Sequence, residues 1–207
     1  MPVRKLPKAL VEILRKMVAR QSQKAHPERI YRTLLLARNI DHRYVSDRQH
    51  PQAIINFMSR VKVISVKRQF PQVGEVVIKK VHGGATAQET IDVINFRVKF
   101  HNERFKPKNY MLLKPNAYAI GEDLVAMAKT DAPAVAEILS VGESYGDVTN
   151  RGTEFFERLK KKYEIQQGQL RKAADEVRRR TNIAYCNLLL LGYQNGKFIF
   201  MPLVDIA

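Results

Sequence analysis

The sequence predicts an α+β fold: a small antiparallel sheet with a helix, preceded by a basic N-terminal arm and followed by a long helix and a β-hairpin. Three observations predict it. Two β-prone runs, Val63, Ile64, Val66 and then Val76, Val77, Ile78, flank a loop holding Pro71 and Gly74. Thr153, followed by Glu154 and Glu157, starts a helix. Its apolar stripe, Phe156, Leu159, Tyr163, Leu170, Ala173, Ala174 and Val177, runs on to Arg178, Arg179 and Arg180. Asn195-Gly196 separates two β-prone runs, residues 183 to 191 and 197 to 204, which is a strong short-range hairpin signal.

In chain order, the first piece is the arm, residues 1 to 61. Residues 1 to 25 carry Arg4, Lys5, Lys8, Arg15, Lys16, Arg20 and Lys24 with Glu12 as the sole acid, and Leu6, Leu10, Ile13, Leu14, Met17 and Val18 fall near helical spacing. Two readings fit: a mitochondrial targeting helix, or a basic amphipathic helix lying on RNA. Residues 27 to 61 read as helical stretches anchored by Ile30, Leu34, Leu35, Ile54, Ile55, Phe57 and Met58. Residues 62 to 129 form the second domain, β-rich over 62 to 119, with an insertion at about 81 to 104 that opens on His82-Gly83-Gly84 and adds a strand at 93 to 100. The remainder, 130 to 207, starts with Pro133 early in a short helix that ends near Leu139, then a loop over 141 to 152.

Charge narrows the function. The chain of 207 residues has 36 Lys and Arg against 20 Asp and Glu, a net charge of +16 and a sequence pI near 10.1. An anionic partner is the direct inference. The excess sits at the front: residues 1 to 68 carry 16 basic and 4 acidic residues, 69 to 130 carry 9 and 6, and 131 to 207 carry 11 and 10. Cys186 is the lone cysteine, so no internal disulfide forms, and no 18-residue apolar run marks a membrane span.

Enzymatic readings fail on order and spacing. Gly142-Glu143-Ser144-Tyr145-Gly146 fits a nucleophile elbow, and His82-Gly83-Gly84 resembles an oxyanion loop. The hydrolase order requires a histidine after the serine, yet His26, His42, His50, His82 and His101 all precede Ser144. No paired His or Cys spacing matches a metal site, and neither a P-loop nor a dinucleotide fingerprint occurs. The expectation is a protein that is not an enzyme, with no cofactor, metal or small-molecule substrate.

The candidate RNA-binding residues are Lys67, Arg68, Lys79, Lys80, Lys106, Lys108, Asn109, Tyr110 and Lys114. The lysines and Arg68 suit phosphate, with counterion release giving affinity and little sequence preference. Asn109 and Tyr110 offer a hydrogen bond and a stacking face for an unpaired base. A tyrosine ahead of Met-Leu-Leu also reads as a core or rim residue. Lys160-Lys161-Lys162 reads as a solvated helix face.

The segments Val63-Ile64-Ser65-Val66-Lys67, Gly74-Glu75-Val76-Val77-Ile78-Lys79, Lys108-Asn109-Tyr110-Met111-Leu112 and Lys114 to Ala119 resemble the N-terminal domain of bacterial-type large-subunit ribosomal protein number nine. That family reads V-x-L-L-x-D-V-x-x-L-G-x-x-G-D-V-V-x-V-K, then G-Y-A-R-N-x-L-I-P-x-G-x-A. This chain departs from it in a shorter first loop, in Phe105-Lys106-Pro107-Lys108 at the G-Y-A-R step, and in the insertion. The resemblance implies a small antiparallel sheet with a helix over 120 to 129, bound to large-subunit ribosomal RNA among neighbouring ribosomal proteins. With the arm and the altered tail, it implies an organellar version placed on the ribosome of the mitochondrial matrix. The alternative of a different class is a structural or assembly subunit of an organellar membrane complex.

Overall fold

The computed structural model describes residues 4 to 19, 61 to 81, 85 to 139 and 149 to 204. The fold is α+β, and the chain divides into two compact units that are each discontinuous in sequence. Among the described residues the first holds those up to Asp92 together with 116 to 130, and the second holds 93 to 115 and those from Asp131 to Val204. Residues 20 to 60, the His82-Gly83-Gly84 segment and the Gly142 to Gly146 motif lie outside the described residues.

In the first unit, helix α1 (Lys8–Ala19) forms where Leu10, Val11, Leu14 and Val18 repeat on one face, and all four are buried. The Pro7 carbonyl accepts from the Leu10 and Val11 amides at 3.0 and 3.1 Å, satisfying donors that a helix start leaves open. Segment 8 to 19, expected within an arm, is instead a core element. Its apolar stripe packs with Ile64, Val66, Val76, Ile78, Ile120 and Leu124. Each fully buried leucine there contributes about 1.5–3 kcal/mol.

The sheet below α1 has strands β1 (Val61–Ser65), β2 (Glu75–Lys80), β5 (Leu124–Ala128) and β4 (Ala117–Ala119) in the spatial order β1-β2-β5-β4, all antiparallel. The expected hairpin is present, with Ile64 opposite Val76. Its loop closes through Val66 N–H to the Gly74 carbonyl at 2.9 Å, and Gly74 sits at φ 77°, where a side chain is strained. The helix expected over 120 to 129 is strand β5. Leu124, Val125 and Ala126 are buried and pair with β2, so the segment is the interior of a sheet, where apolar residues on both faces mask the strand period.

Helix α2 (Ala87–Phe105) replaces the strand expected at 93 to 100. Thr86 and Glu89 form a capping box: the Thr86 amide donates to Glu89 Oε2 at 2.8 Å, and the Glu89 amide donates to Thr86 Oγ1 at 3.2 Å. The Thr86 amide holds the Glu89 carboxyl below the usual carboxylate range. Ile91, Ile94, Val98 and His101 are buried at helical spacing, the period that outweighs the β-propensity of the valines.

The second unit is built on a three-stranded mixed sheet, β3 (Tyr110–Leu112), β7 (Lys197–Pro202) and β6 (Leu188–Gln194), in the order β3-β7-β6. The β6–β7 hairpin is the expected one. Asn195 and Gly196 both take positive φ, 51° and 74°, as a two-residue turn between twisted strands requires. β3 pairs with β7 in parallel, Tyr110 opposite Phe198.

Helices α3 (Val135–Leu139), α4 (Thr149–Tyr163) and α5 (Gln167–Thr181) complete the unit. The single long helix expected from Thr153 onward is thus two. Glu164 adopts φ 53° and its amide donates to the Lys160 carbonyl at 2.8 Å, ending α4. α5 restarts at Gln167, with the Gln166 amide donating to Gln169 Oε1 at 2.7 Å. Its stripe Leu170, Ala173, Ala174 and Val177 is buried as expected.

Candidate nucleic-acid interface

The nine sequence-chosen residues are divided between the two units: Lys67, Arg68, Lys79 and Lys80 in the first, Lys106, Lys108, Asn109, Tyr110 and Lys114 in the second. Lys67 and Arg68 lie exposed on the loop between β1 and β2, where a phosphate can reach them. Lys79 is buried, with 8% of its surface accessible, and it is engaged within the protein. Lys80 is half-buried and pairs with Asp123 at 2.9 Å. Alternation along β2 sets Lys80 on the side of Val76 and Ile78 and Lys79 on the other side with Val77, and both cations are engaged within the fold.

In the second unit, Lys106 follows the end of α2 at φ 42°, its amide bonded to the Asn102 carbonyl at 3.2 Å, and its side chain is exposed. Lys108 and Asn109 are exposed too, and the Asn109 carbonyl accepts from the Phe198 amide at 3.0 Å, which fixes the backbone there. Lys114 is exposed beyond β3.

Tyr110 corrects the sequence reading: 1% exposed, its ring has no face open to a base. It packs against Phe200 at 6.0 Å between centroids and shares a hydrogen bond with His101, Oη to Nε2 at 2.9 Å. Burial, and then the Glu176 carboxylate, pushes the tyrosine hydroxyl well above its ordinary value. Burial, and then the Arg180 charge, lowers the imidazole below its usual value, while Glu176 opposes that shift. The pair is a neutral, buried polar contact.

Several exposed groups escaped sequence reasoning. Phe96, Phe100 and Phe105 on α2 are exposed, and guanidinium groups lie on two of these rings. Arg104 is 5.6 Å from the Phe100 centroid and Arg180 is 4.2 Å from that of Phe105. The signal was present as Phe96, Phe100 and Arg104 at intervals of four, but reading 93 to 100 as a strand ended the element before Arg104 and Phe105 and so missed the helical line that joins them. On α5, Lys172, Asp175, Arg178 and Arg179 line an open groove. Asp175 accepts a hydrogen bond there from the Tyr185 hydroxyl, and Arg178 lies over the Tyr185 ring.

Lys160 pairs with Glu157 at 3.3 Å on an exposed face of α4, and Lys161 and Lys162 are exposed beside it. Among the described residues, no three His, Cys, Asp or Glu side chains gather as a metal site, and no helix is long and apolar enough to cross a membrane. No family model, curated protein or solved structure matches the chain.

Proposed function

We propose that the chain is a non-catalytic RNA-binding protein, a structural constituent of the large subunit of a mitochondrial ribosome. The observation that carries the reading is that Lys67, Arg68, Lys106, Lys108, Asn109 and Lys114 are all solvent-exposed on loops, in a chain of net charge +16. Loops of this kind place cations against phosphate without burying them, so affinity comes from counterion release. Sedimentation of the tagged chain from mitochondria tests it. Co-migration with the large ribosomal subunit, lost at high salt, is expected. Migration with a membrane complex instead would favour the alternative of an assembly subunit and sink the ribosomal reading.

A second reading is favoured by one observation, the placement of Lys79. It is a buried cation on an inner strand, in the sequence Val76-Val77-Ile78-Lys79, and the chain then runs into α2. Phosphoryl-transfer enzymes of the protein-kinase type carry a phosphate-binding lysine in a Val-Ala-Ile-Lys strand ahead of a helix, and in their catalytic loop an Asp five residues before an Asn. Asn182 and Asn187 keep that spacing here, with an amide where the base would stand. The acids of α2, Glu89, Asp92 and Glu103, are all exposed, a departure from the carboxylate that pairs with such a lysine. On this reading the chain binds a nucleotide without transferring phosphate. Thermal melting with ATP and magnesium separates the two readings. A rise in Tm abolished by Lys79→Met supports nucleotide binding, and no shift removes it.

A further inference from the structure

We propose that the outward face of α2 is a stacking platform for the unpaired bases of single-stranded RNA, formed by Phe96, Phe100 and Phe105 with Arg104 and Arg180. The inference rests on the RNA-binding reading and deepens it by naming the form of RNA. Phe96 is 67% exposed and Phe100 47%, and their rings stand 6.0 Å apart with planes only 21° from parallel. The next step along the helix is Arg104, whose guanidinium lies 5.6 Å from the Phe100 centroid and 5.9 Å from that of Phe105. Arg180 of α5 caps Phe105 at 4.2 Å. Rings and guanidinium planes therefore follow one another in a continuous line within the second unit.

Exposed phenylalanines contribute little to the fold and carry a cost in water, so a run of them marks a contact surface. The cations say what kind. Arginine planes and aromatic faces both accept the π-face of a base, and the same arginines neutralise the phosphates that accompany it. Arg180 is held in place by Glu176 at 2.8 Å, and a purely apolar partner would have to desolvate Arg104. Lys99 on α2 pairs with Glu103 at 3.9 Å, and exposed Lys106 and Lys108 just beyond the helix add positive charge for a backbone that leaves the platform. A duplex cannot use the surface, because its bases are already stacked inside. The platform also supplies what Tyr110, buried in the core, cannot.

Fluorescence anisotropy of the full chain with two labelled probes, an oligouridylate of about 12 nucleotides and an RNA duplex of equal length, tests the proposal. Phe96→Ala with Phe100→Ala should weaken oligouridylate binding roughly 5- to 150-fold while leaving duplex binding unchanged. Phe96→Tyr with Phe100→Tyr, which keeps the π-faces, should retain the affinity and guards against misfolding of the alanine variant. Equal losses on both probes, or no loss on either, overturns the platform. If the unmodified chain binds neither probe at low salt, the RNA-binding reading itself falls; if it binds both and the alanine variant is indistinguishable, the platform alone falls. Sedimentation adds a last arm: a dimer that the alanine variant dissociates, with oligouridylate affinity intact, assigns the face to a second copy of the chain and overturns the proposal.

Discussion

The two units use positive charge in different ways. In the first, cations serve the framework: Lys80 pairs with Asp123, Lys129 with Glu75 at 2.9 Å, and Arg4 and Arg15 donate to the carbonyls of Val73 and Ala119. In the second, several lie on rings, Arg104 on Phe100, Arg178 on Tyr185 and Lys162 on Tyr163, while Arg180 covers Phe105 and also pairs with Glu176 at 2.8 Å. A cation hydrogen-bonded to a carboxylate or carbonyl has already been neutralised or oriented by the fold, whereas one held against an aromatic face alone, as Arg104 is, keeps its N–H donors for a ligand. Net charge counts both alike, and so overstates what the sheet unit offers a polyanion.

The largest expected effect tests whether α1 belongs to that sheet framework. Leu14, fully buried, should cost about 2–5 kcal/mol when changed to Ala, read as a lowered urea midpoint. An unchanged midpoint would return the segment to the status of an arm and leave the sheet unit without one of its layers. Smaller, and aimed at the charges themselves, is a comparison on RNA. Lys67→Ala and Arg68→Ala should each lower the salt slope of binding by roughly 0.7–0.9, while Lys80→Ala should leave it alone and cost only about 0–1 kcal/mol of stability through Asp123. Equal slopes for loop and strand cations would erase the contrast between the units.

The smallest effect is confined to the second unit. His101 has its pKa lowered in the fold, so between that value and the unfolded value of about 6.5 the unfolded chain binds more protons. Stability contributed by the neutral imidazole is present above the unfolded pKa and is lost as pH falls through the window beneath it. Melting curves from pH 7.5 to 5 should show this loss, and His101→Gln should remove the dependence. A variant that melts with the same pH profile as the parent would show that other groups govern it.

Local signals in the sequence were legible where the chemistry is local. The Asn195-Gly196 turn, the Gly74 loop and the stripe of α5 needed only neighbours a few residues away. One misreading arose where competing local signals were present: the capping box at Thr86 and Glu89 announced α2, yet Val93 and Val98 drew the segment toward a strand. Others came from pairing that no window contains. Leu124, Val125 and Ala126 are a strand because β2 is there to receive them, and Tyr110 is buried because Phe200 lies beside it. The same blindness affected the binding residues: exposure of Lys67 and Lys108 followed from loop position, while burial of Lys79 and Tyr110 depended on tertiary partners.

The parallel pairing of β3 with β7 sets a timetable for synthesis. Residues 110 to 112 meet their partners at 198 to 200 only after residues 113 to 197 have been made, whereas the strand pairs β1–β2 and β4–β5 close over short loops. At about 5–20 residues per second, β3 waits several seconds with a bare edge and with Leu112 uncovered. During that interval the nascent chain offers an unpaired strand to any neighbour, so the second unit, and not the more basic first one, is where a holding chaperone would act.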